Sequence, residues 1–129
     1  MKEIIIIIIS VALVWTGAYV SQNYLTKTSD ELVNNIEDLK IEIQKAKKEE
    51  DSESIALADD IYNKWKEIEE KWSIIITHDE LDLIEISLIG MKTCIEEKQY
   101  AKSIEELEKS IYLLEHIKDK EKFDLKNIF

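Results

Sequence analysis

"WSIIITHDELDLI", residues 72–84, decides how this chain folds. Trp72 and three isoleucines, Ile74, Ile75 and Ile76, end one apolar run, and Leu81 and Ile84 open another. Between them stands Thr77-His78-Asp79-Glu80, a threonine followed three residues later by a glutamate. That spacing lets the two side chains satisfy free backbone groups at the start of a helix. The stretch therefore ends one helix and begins the next. Upstream, Ala58, Ile61, Trp65, Ile68, Trp72 and Ile75 recur at spacings of three and four; downstream, Leu81, Ile84, Leu88, Met91 and Ile95 do the same. Each set is one face of an α-helix.

Two further stripes complete the pattern. Leu32, Ile36, Leu39, Ile43 and Ala46 follow Thr28-Ser29-Asp30-Glu31, a second capping-box sequence; Ile104, Leu107, Ile111, Leu114 and Ile117 follow "EEKQY". The polar breaks are "KKEEDSESI", residues 47–55, and "EEKQY", residues 96–100. The chain has 129 residues, no proline and two glycines, Gly17 and Gly90, which leaves β-hairpins little to turn on. Helices with one apolar stripe each are not stable alone, and short connections make neighbours antiparallel. The expected fold is all-α: an antiparallel bundle of about four helical segments, arranged as two helical hairpins. "ALADDIYNKWKEI" and "IEELEKSIYLLEHI" match in stripe position, as related hairpins would. The second hairpin looks tetratricopeptide-like in packing but lacks that repeat's Gly and Pro positions.

The first 25 residues, "MKEIIIIIISVALVWTGAYVSQNYL", differ in kind. From Ile4 to Val20 no residue is charged, and at about 1.5 Å per residue the run rises roughly 25 Å, near the lower limit for a bilayer core. Trp15, Tyr19 and Tyr24 stand toward its far end, where aromatic side chains suit the interface. A membrane anchor over residues 4–25 fits best. A cleaved signal peptide competes, against the Glu3 that follows Lys2 and a mediocre small-residue site at Thr16-Gly17-Ala18. A buried core helix fits poorly, because the run is apolar on every face. The expected division is an anchor over 1–25 and a helical domain over 26–129 with a short tail, 122–129. Lys2 and the terminal amine slightly favour a cytoplasmic N-terminus with the domain outside the cell membrane.

The net charge is -11, and Lys2 and Glu3 cancel, so the domain carries all of it. Every basic residue is lysine. That acidic field and the lack of arginine argue against nucleic acid as a partner. Cys94 is the one cysteine, too few for an internal disulfide or a zinc knuckle. No phosphate loop, nucleophile with its base or Gly-rich cradle occurs, so neither an enzyme nor a cofactor is expected.

The two histidines, His78 and His116, flank the last break at about equal distance. Folding the last two helices together brings them level at the open end of that hairpin. Counting helices outward from the anchor makes this the membrane-proximal end. Three roles compete. With Asp82 and Asp119, four and three residues further on, the pair could ligate a metal. They could form a pH-sensitive contact. Or His116 caps the negative end of its helix while His78 closes the bundle end. Trp65 and Trp72 share a stripe with Ile68, which fits core packing better than an aromatic ligand cup. Leu125, Ile128 and Phe129 in the tail either fold back onto the bundle or dock on a membrane partner.

The anchor, Trp65 and Trp72, "HDELDLIEISL", "LLEHIK" and a terminal "KNIF" together resemble domain of unknown function family 4363. The likeness covers almost the whole chain and rests on Trp65, Trp72, His78, Glu80, Leu81, Ile84, His116, Ile117, Asn127 and Ile128. It is a pattern of helices and scattered residues, not a catalytic motif. The resemblance implies a small single-pass helical membrane protein of spore-forming Gram-positive bacteria, without an assigned activity and with a membrane-protein partner. Together these readings predict an accessory protein whose contact cluster is His78, Glu80, His116, Asn127, Ile128 and Phe129. A sensor or cation-binding module is the alternative. Pairing of two copies through the helical stripes remains open.

Overall fold

The computed structural model describes residues 1–48 and 53–128; the side chain of Ile128 lies outside the description. Among these residues four helices follow in order: α1, Lys2–Ala46; α2, Ser54–Trp72; α3, His78–Glu96; and α4, Tyr100–Ile128. Among the described residues there is no strand. Each helix packs on its neighbours in the chain, and α4 closes the ring against α1. Part of the polar break at 47–55 lies outside the described residues.

α1 joins the apolar run to the bundle without interruption. The capping-box sequence at Thr28 starts no helix. With no glycine or proline nearby, the main-chain ladder continues, and the Thr28 hydroxyl donates to the Tyr24 carbonyl one turn back at 2.7 Å. Bundle packing begins at Leu25 and continues through Leu32, Ile36, Leu39 and Ile43. The division at residue 25 thus falls within one rigid rod.

The core is a single cluster fed by all four helices. Trp65 and Trp72 are wholly buried within it, edge to face, with ring centroids 5.7 Å apart. The whole α3 stripe is buried, from Leu81 to Ile95. Two stripes shift from their expected places. At the end of α2, Ile76 is buried while Ile75 is exposed, because the chain turns out of the helix after Trp72. On α4 the innermost positions are Ser103, Leu107, Ser110, Leu114 and Ile117, and Ile104 and Ile111 are half-buried flanks. The Ser103 and Ser110 hydroxyls donate to the Tyr100 and Glu106 carbonyls of their own helix, at 2.7 and 3.0 Å. They can therefore be buried without an unpaired polar atom, and their small size lets neighbouring helices approach. Gly90 marks the same closeness on α3: a Cβ there would stand 3.3 Å from Glu106 Cδ.

Lysine–carboxylate pairs bridge every seam. Lys64–Glu31 joins α2 to α1, Lys92–Asp59 and Lys66–Glu85 join α3 to α2, and Lys120–Glu80 joins α4 to α3. Lys118–Asp30 and Lys40–Glu108 join α4 to α1. Pairs this exposed each contribute about 0–1 kcal/mol. At the α2–α3 and α1–α4 seams, which carry two pairs each, the partners follow in opposite order along the two helices, which marks those seams as antiparallel. The turn into α4 works without glycine. Lys98 takes the left-handed conformation, φ 59, while its amide donates to the Ile95 carbonyl at 3.0 Å and that of Gln99 to Cys94 at 2.7 Å. These are the two bonds of a Schellman cap.

α3 departs from the expectation of one stripe per helix. Leu83, Ile86 and Ile89 form a second apolar line facing outward, joined by Tyr112 on α4, and all four are exposed.

Candidate functional site

Thr77 is the N-cap of α3. Its hydroxyl donates to the Glu80 carboxylate at 3.0 Å, and Glu80 also accepts from the Thr77 backbone N–H. This is half of a capping box; Thr77 makes no side-chain bond to the helix backbone. Lys120 adds a 2.6 Å hydrogen bond from α4. Burial alone would push Glu80 upward, but the Lys120 and Thr77 hydrogen bonds outweigh it and hold the carboxyl below its ordinary 4.5. Glu80 therefore locks the start of α3 to α4.

A group lowered on folding stabilises the fold above its unfolded value, and that contribution is lost as pH falls through its folded value. Glu80→Gln should therefore lower stability by about 0.5–1 kcal/mol at neutral pH. At a pH acidic enough to protonate the wild-type carboxyl as well, which lies below the ordinary 4.5, the two proteins should melt together. Thermal melts of the full-length protein in detergent at both pH values check this; a difference that persists in acid would assign the loss to packing.

Neither histidine takes the packing or capping role expected of it. His78 is the first residue of α3 and is exposed, so it does not plug the bundle end. His116 is also exposed, and its ring stacks on Tyr112, with centroids 6.0 Å apart and planes 13° from parallel. It does not cap α4, which runs on to Ile128 with Lys126 in its last turn. Asp82 stands instead with Glu69 and Glu85, with ligand oxygens within 4.8 Å of one another. Among the described residues no such group includes His78, His116 or Asp119. Lys66 already occupies the acidic group, bonding Glu69 at 2.8 Å and Glu85 at 2.6 Å. The Glu85 carboxyl is lowered first by that lysine, against burial, with Tyr62 adding a further hydrogen bond.

Trp72 and Trp65 are wholly buried, which leaves no cup open to a ligand. Trp72 Nε1 donates to Thr28 Oγ1 at 2.9 Å, tying α2 to α1. Trp65 Nε1 is the buried side-chain donor without a partner among the described residues.

The C-terminal segment is the largest change from expectation. Residues 122–128 are the last turns of α4, not a separate tail. They return to the apolar half of α1. Leu125 lies in the seam between the helices. On one flank a cleft is lined by Ser21, Gln22, Glu121 and Asp124; on the other a groove is lined by Trp15, Tyr19, Lys122 and Lys126. Burial pushes the Glu121 carboxyl above its ordinary value. Asn127 is exposed beside this seam's end, Ile128 closes α4, and Phe129 lies outside the described residues.

With this geometry in place, comparison with known families is decisive on one point. The model of a family described as a domain of unknown function, DUF4363, matches residues 19–128. The chain belongs to the DUF4363 family. The match covers the bundle and the far end of the apolar run. No curated protein and no solved structure matches the chain. The DUF4363 description carries no activity, so function rests on the geometry. Among the described residues one helix, α1, is long and apolar enough to cross a membrane, and a signal sequence passes the same test of length and composition.

Proposed function

We propose that this protein is a non-enzymatic accessory protein, held in the cell membrane by residues 4–25 with its N-terminus cytoplasmic. Its acidic bundle stands outside and contacts an integral membrane protein through the membrane-proximal end. The observation that carries this reading is the exposed surface of α1. Ile4 to Ile9, Val11, Leu13 and Val14 are all at least half exposed, a large apolar area that a hydrocarbon environment would cover. The same helix continues into the core at Leu25, so an anchored α1 would hold the bundle at fixed height and angle. His78, His116 and Asn127 are exposed and available to a partner, and the apolar line Leu83, Ile86 and Tyr112 lies farther up the same hairpin.

Gentle-detergent purification of tagged full-length protein from native membranes, with cross-linking and mass spectrometry, tests the reading. One integral membrane protein should be recovered, cross-linked through lysines near the foot of the bundle, and His78→Ala should reduce its yield. Undiminished recovery with His78→Ala would reject that contact. A protein recovered alone would favour the alternative, a sensor or cation-binding module.

A further inference from the structure

The lower end of α4 carries charge in an ordered way. Lys122 and Lys126 are one turn apart on the flank that faces α1 across Trp15, Ala18, Tyr19 and Leu125. Both are exposed, and neither makes an ion pair among the described residues. Lysines higher in the bundle, Lys40, Lys66, Lys92 and Lys118, hold carboxylates instead. The acidic pair Glu121 and Asp124 lies beyond Leu125, in the neighbouring cleft. A domain that carries all of the -11 charge thus presents two uncompensated cations over an apolar floor, at the end of the run long enough to cross a membrane.

We propose that this groove holds an anionic phospholipid, with the phosphate between Lys122 and Lys126 and the upper acyl chain along Trp15, Ala18 and Leu125. The proposal rests on the anchor reading above. Three features favour a lipid. The site combines cation and apolar floor, whereas a soluble anion needs only the first. Trp15 and Tyr19 stand where aromatic side chains meet headgroups. Lysines on a long stem reach from an apolar seam to the phosphate level. The lipid would also counter the repulsion between the acidic domain and an anionic leaflet at the one place where the two must meet.

Native mass spectrometry of the full-length protein in detergent, with equal amounts of dioleoyl phosphatidylglycerol and dioleoyl phosphatidylcholine, reads the site directly. Phosphatidylglycerol should be retained about thirtyfold over phosphatidylcholine, the preference two lysines near a headgroup supply. Lys122→Gln with Lys126→Gln should bring the ratio near one without moving the melting temperature, and arginine at both positions should keep it. Equal retention by the wild type, or an unchanged ratio in the glutamine variant, overturns the proposal. Flotation with phosphatidylcholine vesicles separates the two readings. Protein that floats but shows no preference overturns the groove alone; protein that does not float overturns the anchor and the groove together.

Discussion

Trp72→Ala is expected to lower the melting temperature of the full-length protein more than any other single truncation on α2. Removing a buried tryptophan costs about 3–5 kcal/mol through lost apolar burial and the cavity left behind. Trp72 is fully buried and is also the donor to Thr28 that fixes α2 against α1. Losing that bond adds about 1 kcal/mol. A domain of this size has a total stability of about 5–15 kcal/mol, so the fall should be roughly 15–30 °C. Two milder variants separate packing from hydrogen bonding. Phenylalanine at position 65 removes an N–H that has no partner among the described residues, while at position 72 it removes one that does. Trp72→Phe should cost about 1 kcal/mol more than Trp65→Phe. Melts followed by far-ultraviolet circular dichroism decide the order; equal costs would show that the Thr28 bond contributes nothing net.

Charging the middle of the apolar run should produce the largest change in where the protein resides. Ile8 and Ala12 lie near its centre and are exposed. A lysine at the centre of a membrane helix costs about 2.5–3.5 kcal/mol on insertion scales. Ile8→Lys with Ala12→Lys should thus shift the protein from the alkali-resistant membrane pellet to the soluble fraction. The wild type should remain in the pellet with its N-terminus intact by mass. A wild-type chain shortened near Ala18 would identify residues 1–18 as a signal sequence and reject the anchor.

The stripes from Leu81 to Ile95 and from Leu32 to Ile43 were readable from spacing alone because each position in them is strongly apolar and the period never breaks. Where the core uses polar or small residues, spacing misleads. Ser103 and Ser110 look like surface positions in sequence, yet their hydroxyls are satisfied within α4 and their size is what the seam requires. Thr28 looks like a cap because a capping box is a local pattern, and locally nothing distinguishes it from a threonine bonded back to the preceding turn. The two histidines illustrate the same limit. Equal distance from a turn places them at similar height, but height does not fix direction. His116 turns to Tyr112, while Glu80 and Lys120 make the cross-helix contact.

By itself the sequence determined that the chain is helical, that the breaks fall near residues 50, 77 and 98, and that the first 25 residues are unlike the rest. These follow from local periodicity, glycine and proline content, and uninterrupted hydrophobicity, all written along the chain. Only the tertiary structure decided that α1 is one rod, that the final residues extend α4 back to the apolar run, and that Lys122 and Lys126 face Trp15 and Tyr19 across a groove. Those facts depend on which residues, more than a hundred positions apart in the chain, meet when four helices bury their stripes together, and no local pattern records that meeting.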